Sequence, residues 1–192
     1  MLLDAVAAAV AGGVDVVQVR NRAASPAELV DLVRAVRHRI GQNALLLVNG
    51  PPDIALSSDA DGVHLPELVI NPAVARQRLG NGRHVGVSVH SLESAIRAER
   101  LGADSLTFGH IFATSSHPER APRGLGELIA VTRVVTVPVV AIGGIQTSNV
   151  SVVLAHGASG IAVISAILDA ADPGDAARAL RQALDAAGGV TS

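Results

Sequence analysis

Three groups of residues at strand ends in this chain can do chemistry on an anionic small molecule. The first is His110, which closes the apolar run Ser105-Leu-Thr-Phe-Gly109 and opens a polar loop reaching Gly124. An imidazole titrates near neutrality, so one ring can take a proton from one atom of a substrate and return it to another. A lone histidine can equally do no more than bond a loop carbonyl. The strand-end position tips the reading toward acid/base work, because the chain has neither lysine nor cysteine to share it. The second is Arg20 with Arg22, two positions apart and therefore pointing the same way, a pair able to grip a carboxylate through paired N–H donors. Arg22 reads equally well as a solvated loop cation.

The third is glycine-based. Pro138-Val-Val-Ala-Ile-Gly-Gly-Ile145 and Gly160-Ile-Ala-Val-Ile-Ser-Ala166 are apolar runs that end in small residues before a helix. Such runs suit parallel strands buried on both faces, and Gly143-Gly144 lets backbone N–H groups approach an anion with no Cβ in the way. In β/α barrels a phosphate commonly occupies the loops after the last two strands. The alternative for the same glycines is a tight strand-to-helix turn, and both roles are compatible.

Positioning such residues takes a regular scaffold, and the sequence supplies one. Apolar, β-branched runs at 14–19, 44–48, 62–65, 84–89, 105–109, 138–142 and 160–164 predict seven strands. Helical patterns at 26–40, 51–57, 72–79, 92–101, 125–134, 148–155 and 175–186 separate and follow them. Ser25-Pro26, Asn71-Pro72 and Ser91 mark helix starts, and Gly41, Gly80, Gly102 and Gly157 mark stops. Strict alternation predicts an α/β fold with a parallel sheet. Polar residues at several strand ends (Arg20, Asn49, His64, His90, His110, Ser165) and plain helix-to-strand loops favour a TIM (β/α)8-type barrel over an open sheet. Eight strands are needed, yet the chain opens on an Ala-rich helix that ends at Gly12-Gly13. The expectation is a shortened N-terminus, with the first strand missing from this chain, since an uncovered strand edge invites mispairing. No linker or repeat divides residues 1–192, which are read as one domain.

Composition narrows the function classes. The 192 residues are 49% hydrophobic with a formal charge of −2, which gives one sizeable core and no basic face for nucleic acid. All fifteen basic residues are arginines, which excludes Schiff-base chemistry and a lysine general base. The absence of cysteine removes disulfides and thiolate ligands and fits a cytoplasmic protein. The first dozen residues carry Asp4 and no basic start, so they are read as a soluble amphipathic helix with no membrane role.

Beyond these features, the chain resembles the thiamine phosphate synthase and TenI superfamily of small β/α barrels. The resemblance runs through Gln18-Val-Arg-Asn-Arg22, Val48-Asn-Gly50 with Asp53-Ile-Ala-Leu56, Asp61-Gly-Val-His-Leu65, Gly86-Val-Ser-Val-His90 and Val139-Val-Ala-Ile-Gly-Gly-Ile145. It departs from the synthase pattern at the residues that handle magnesium and pyrophosphate. Asn49-Gly50 stands for Asn-Asp, His64-Leu-Pro-Glu-Leu-Val69 keeps Glu67 but lacks the following aspartate, and Arg22 and His117 stand for lysines. A hard dication needs oxygen ligands, so these losses imply no tight metal site. Phe108-Gly-His110 resembles the TenI-type thiazole tautomerases. That resemblance implies a cofactor-free isomerase that aromatises a carboxythiazole ethyl phosphate in thiamine biosynthesis. The alternatives are thiamine phosphate synthase, which couples a pyrimidine pyrophosphate to thiazole phosphate, and a non-catalytic phosphate-binding regulatory barrel.

The resemblance implies His110 as the catalytic group and a phosphate held on the backbone of Gly143, Gly144, Ile164 and Ser165. Asn49 and Ser88 match ligand-contacting positions, with helix capping as the alternative for each. Ser115 and Ser116 lie in the loop that resembles the family's ligand-closing loop, with a mobile serine-rich loop that needs no ligand as the alternative. His64 and His90 also end strands, but no acidic second shell is evident for a zinc site; His38, His84 and His156 read as surface residues. The partner expected is a phosphorylated thiazole, with room for a homo-oligomer and for a transient contact with thiazole synthase.

Overall fold

A computed structural model describes residues 2–67, 69–114 and 118–188. The strands are β1 (Val16–Val19), β2 (Leu45–Val48), β3 (Gly62–Leu65), β4 (His84–Val89), β5 (Ser105–Gly109), β6 (Val139–Ile142) and β7 (Gly160–Ala162). Helix α1 (Leu2–Ala11) precedes β1. Between strands run α2 (Pro26–Ile40), α3 (Pro52–Ser58), α4 (Pro72–Leu79), α5 (Leu92–Arg100), α6 (Gly124–Thr132) and α7 (Val150–Ala155), and after β7 come α8 (Ser165–Leu168) and α9 (Pro173–Ala186).

The anticipated caps are made. Ser25 accepts from the Glu28 N–H while the Glu28 carboxylate accepts the Ser25 N–H at 2.8 Å, Asn71 accepts the Ala73 N–H at 2.9 Å, and Ser91 accepts the Ser94 N–H at 3.1 Å. Most element ends shift by one or two residues, and two differences near the C-terminus have a local cause. The final helix starts earlier, at Pro173, because Asp172 accepts the Asp175 N–H at 2.9 Å as an N-cap. The four residues of α8 are too few to show a helical period, and they interrupt what reads as one apolar run.

All seven strands pair in parallel in sequence order, as the alternation predicts. Among the described residues no ladder joins β7 to β1, so the sheet curls in barrel fashion with a seam between its first and last strands.

Period-two alternation divides the sheet. Val63, Val85, Val87, Val89, Leu106 and Phe108 are buried in one core cluster with helix residues Val33, Val36, Ala75, Ala95, Leu128 and Val131. The alternate positions of β3, β4 and β5 face the concave side and are small or polar, whereas β2 and β6 bring Leu45, Leu47, Val140 and Ile142 to the same face. There His64 Nε2 lies 2.8 Å from Ser88 Oγ, and His84 Nε2 lies 2.8 Å from Ser105 Oγ. Barrels usually fill this space with branched apolar side chains, as β2 and β6 do here, so the polar stretch contributed by β3, β4 and β5 departs locally from the common pattern.

The helix-to-strand end is less plain than the sequence suggests. Asp61 Oδ2 accepts the Leu46 N–H at 2.6 Å and pairs with Arg37; Asp104 Oδ2 accepts the Val85 N–H at 2.7 Å and pairs with Arg76. Each arginine also donates to the carbonyl of the glycine ending its own helix, Gly41 at 2.7 Å and Gly80 at 3.1 Å. One helix-to-strand clamp is thus built twice, and it uses charges for architecture at the end away from the site.

Candidate active site at the strand-end rim

His110 follows β5 and is 8% exposed. Its Nε2 lies 3.2 Å from the Arg120 carbonyl oxygen. A carbonyl only accepts, so the neutral ring carries its hydrogen on Nε2 and its lone pair on Nδ1. The chain after His110 is fastened to β6: the Ile111 N–H donates to the Ile142 carbonyl at 2.8 Å and the Phe112 N–H to the Gly143 carbonyl at 3.0 Å. The Gly109–His110 peptide is cis.

Gly143 and Gly144 have φ of +98° and +66°, a region that favours glycine. They are also closely approached. A Cβ on Gly144 would fall 2.6 Å from the Ala113 carbonyl oxygen, and one on Gly143 would strike the His110 side chain. The glycine pair therefore seats the histidine segment as well as baring the backbone. Asn149 fixes the turn that follows, donating to the Gly144 carbonyl at 2.9 Å and accepting the Gln146 N–H at 2.9 Å. Ile164 and Ser165 are exposed at the start of α8, whose first turn has no side-chain cap.

On the β1 side, Arg20 and Arg22 are exposed, and neither guanidinium has an ion-pair or hydrogen-bond partner among the described residues. Burial and the nearby Arg22 charge both lower the pKa of Arg20. Two like charges held near one another without a counter-charge make a seat for an anion.

Asn49 follows β2, with its N–H on the Val19 carbonyl at 2.8 Å. Its side chain does not cap α3, whose N-cap is Pro51. Ser88 does not cap α5 either; its hydroxyl bonds His64. Capping is thereby removed as the explanation for both residues. Ser115, Ser116 and His117 lie outside the described residues.

The histidines given little weight in the sequence are better placed than expected. His64 is 4% exposed, and burial, then the charges of His84 and Arg20, lower its pKa to about 4, so it is neutral at working pH. His84 is no surface residue but half-buried on the concave side, with its pKa lowered chiefly by burial. His90 does have an acidic neighbour, Glu67, with 3.8 Å between Nε2 and Oε2. Glu67 follows β3 and His90 follows β4, so the pairing depends on adjacent strands and leaves no local signature in sequence.

The sequence profile described as thiamine monophosphate synthase, TMP-TENI, matches residues 1–167. A putative thiamine-phosphate synthase of Geobacter sulfurreducens is 45% identical over 181 residues, covering 93% of this chain and 85% of the relative. The thiamine-phosphate synthase of Chlorobium phaeobacteroides is 42% identical over 187 residues, covering 95% and 89%. Thiamine phosphate pyrophosphorylase from Pyrococcus furiosus superposes with a TM-score of 0.87 at 36% identity, over 96% of this chain and 90% of that one. A 3-hexulose-6-phosphate synthase, at 23% identity and TM-score 0.74, shares the fold. The names of these relatives back the synthase alternative better than the tautomerase expectation. On the profile match, the identities and the shared fold, the chain belongs to the thiamine monophosphate synthase/TenI family of enzymes of thiamine biosynthesis.

Proposed function

We propose that the chain acts on a thiazole phosphate ester in thiamine biosynthesis, moving a proton on it as a thiazole tautomerase. The observation that carries this reading is His110: a largely buried imidazole at the rim, its tautomer set by the Arg120 carbonyl, packed against the glycine pair suited to a phosphate. Aromatising the ring needs a proton taken from carbon beside an imine and returned elsewhere on the same molecule. One imidazole can do both while the substrate is held at its two anionic ends. The backbone of Gly143, Gly144, Ile164 and Ser165 holds the phosphate, with the Ser165 hydroxyl able to add a donor. Arg20 and Arg22 take the carboxylate, and Asn49 and Ser88 contact the ring between them.

The second reading, thiamine-phosphate synthase, is favoured by the names of the relatives, and the same two anion seats suit a pyrophosphate and a phosphate. That reaction resembles one assisted by magnesium, which wants several hard oxygen ligands. Gly50 and Val69 occupy positions where the synthase pattern carries carboxylates, Glu67 faces His90, and among the described residues no three His, Asp or Glu side chains converge. The side chains present do not fit a tightly held dication.

Two assays on one preparation separate the readings. With EDTA, a carboxythiazole phosphate should aromatise, as followed by ultraviolet absorbance. With magnesium, a hydroxymethylpyrimidine pyrophosphate and thiazole phosphate should release no pyrophosphate above background; pyrophosphate release without isomerisation would install the synthase in its stead.

A further inference from the structure

A second rim histidine is bonded to the peptide that carries His110. The His90 ring Nδ1 lies 2.8 Å from the carbonyl oxygen of Gly109. That oxygen only accepts, so Nδ1 bears the hydrogen and the Nε2 side turns away, toward Glu67 Oε2 at 3.8 Å. The side chains of His90 and Glu67 are 40% and 21% exposed, which leaves the pair at the rim but partly enclosed. The His90 N–H is anchored as well, donating to Ser94 Oγ at 3.2 Å. Residues following β3 and β4 are thereby joined in one row with the last residue of β5.

Gly109 is held from the other flank by β6. A Cβ there would lie 2.2 Å from the Ile142 carbonyl oxygen, so its backbone lies directly on that strand. His90 supplies the matching contact from β4. The His110 ring leaves a peptide clamped on both sides, and an error of about 1 Å in such a base is enough to cost roughly a hundredfold in rate.

We propose that His90 is a positioning residue for His110: it holds the Gly109 carbonyl, and Glu67 reinforces the ring's orientation when both ring nitrogens carry hydrogen. The proposal rests on the reading of His110 as the acid/base group.

Three variants separate the contacts. His90→Ala removes both. His90→Asn puts an amide N–H where Nδ1 was and keeps the Gly109 contact alone. Glu67→Gln keeps shape and removes charge. With carboxythiazole phosphate as substrate, His90→Ala should lower kcat about 10- to 100-fold with KM within about twofold, and His90→Asn should recover most of that loss. Side-chain 15N spectra give a readout independent of turnover: the His110 ring signals should shift in His90→Ala and return in His90→Asn. Unchanged His110 signals and unchanged kcat in a folded His90→Ala would overturn the proposal. If wild type itself failed to turn over, the functional reading would fall, while the ring spectra would still decide the clamp. Should His90→Ala not fold, His90→Gln, which loses the Gly109 contact while keeping bulk, takes its place and must show the same shift.

Discussion

Gly143 lies against the His110 side chain with nothing between them: a Cβ added at Gly143 would come within 2.2 Å of the His110 Cβ. The glycine after β6 that bares its backbone is thus also the floor on which the β5 histidine rests. Gly143→Ala meets two penalties, the positive φ and the collision. The strained backbone alone is worth about 1–3 kcal/mol. We expect a lower thermal midpoint and turnover reduced by at least about a hundredfold, because the histidine must move. A variant with wild-type turnover would show that the contact does not set His110.

Arg20 and Arg22 should act on binding. Charge-assisted hydrogen bonds to an anion are worth about 1.5–3 kcal/mol each, so Arg20→Gln and Arg22→Gln should each raise KM roughly 10- to 100-fold and leave kcat near wild type. If Arg22 is only a solvated cation, its variant will keep the wild-type KM while Arg20→Gln alone loses affinity.

Much of this arrangement was legible in the sequence. Ser25-Pro26, Asn71-Pro72 and Ser91 predict helix starts through local chemistry, and all three caps form. The seven apolar runs predict seven parallel strands because burial on both faces leaves that signature over four or five residues. His110 and Gly143-Gly144 could be named as candidates because strand ends are where barrels keep their chemistry, and the fold brings them into contact. What stayed hidden depends on register between strands. Nothing around His64 announces Ser88, nor does anything around Glu67 announce His90; each pair forms because β3 and β4 align His64 with Gly86. The Asp61 and Asp104 clamps were missed for the same reason, each partner arriving from a helix more than twenty residues earlier in the chain.

The His64 ring gives stability a pH dependence of definite sign. Its folded pKa of about 4 is below the ordinary 6.5, so the unfolded chain takes up the proton first as pH falls. The contribution is fully present above about pH 6.5 and is lost progressively down to about pH 4, reaching at most about 3 kcal/mol. His84, also lowered by burial, adds in the same direction. The urea midpoint should fall further between pH 7.5 and pH 5 for wild type than for His64→Gln, which cannot titrate. An equal loss in both proteins would assign the acid sensitivity to other groups.

The central claim is that His110 moves a proton on a thiazole phosphate. The most direct measurement is turnover of carboxythiazole phosphate by EDTA-treated wild type and His110→Asn side by side, read as the ultraviolet absorbance of the aromatic product. The wild type should isomerise the substrate. The variant should be slower by roughly two to four orders of magnitude with ligand affinity largely intact. Equal rates in the two proteins, or no turnover by the wild type, would contradict it.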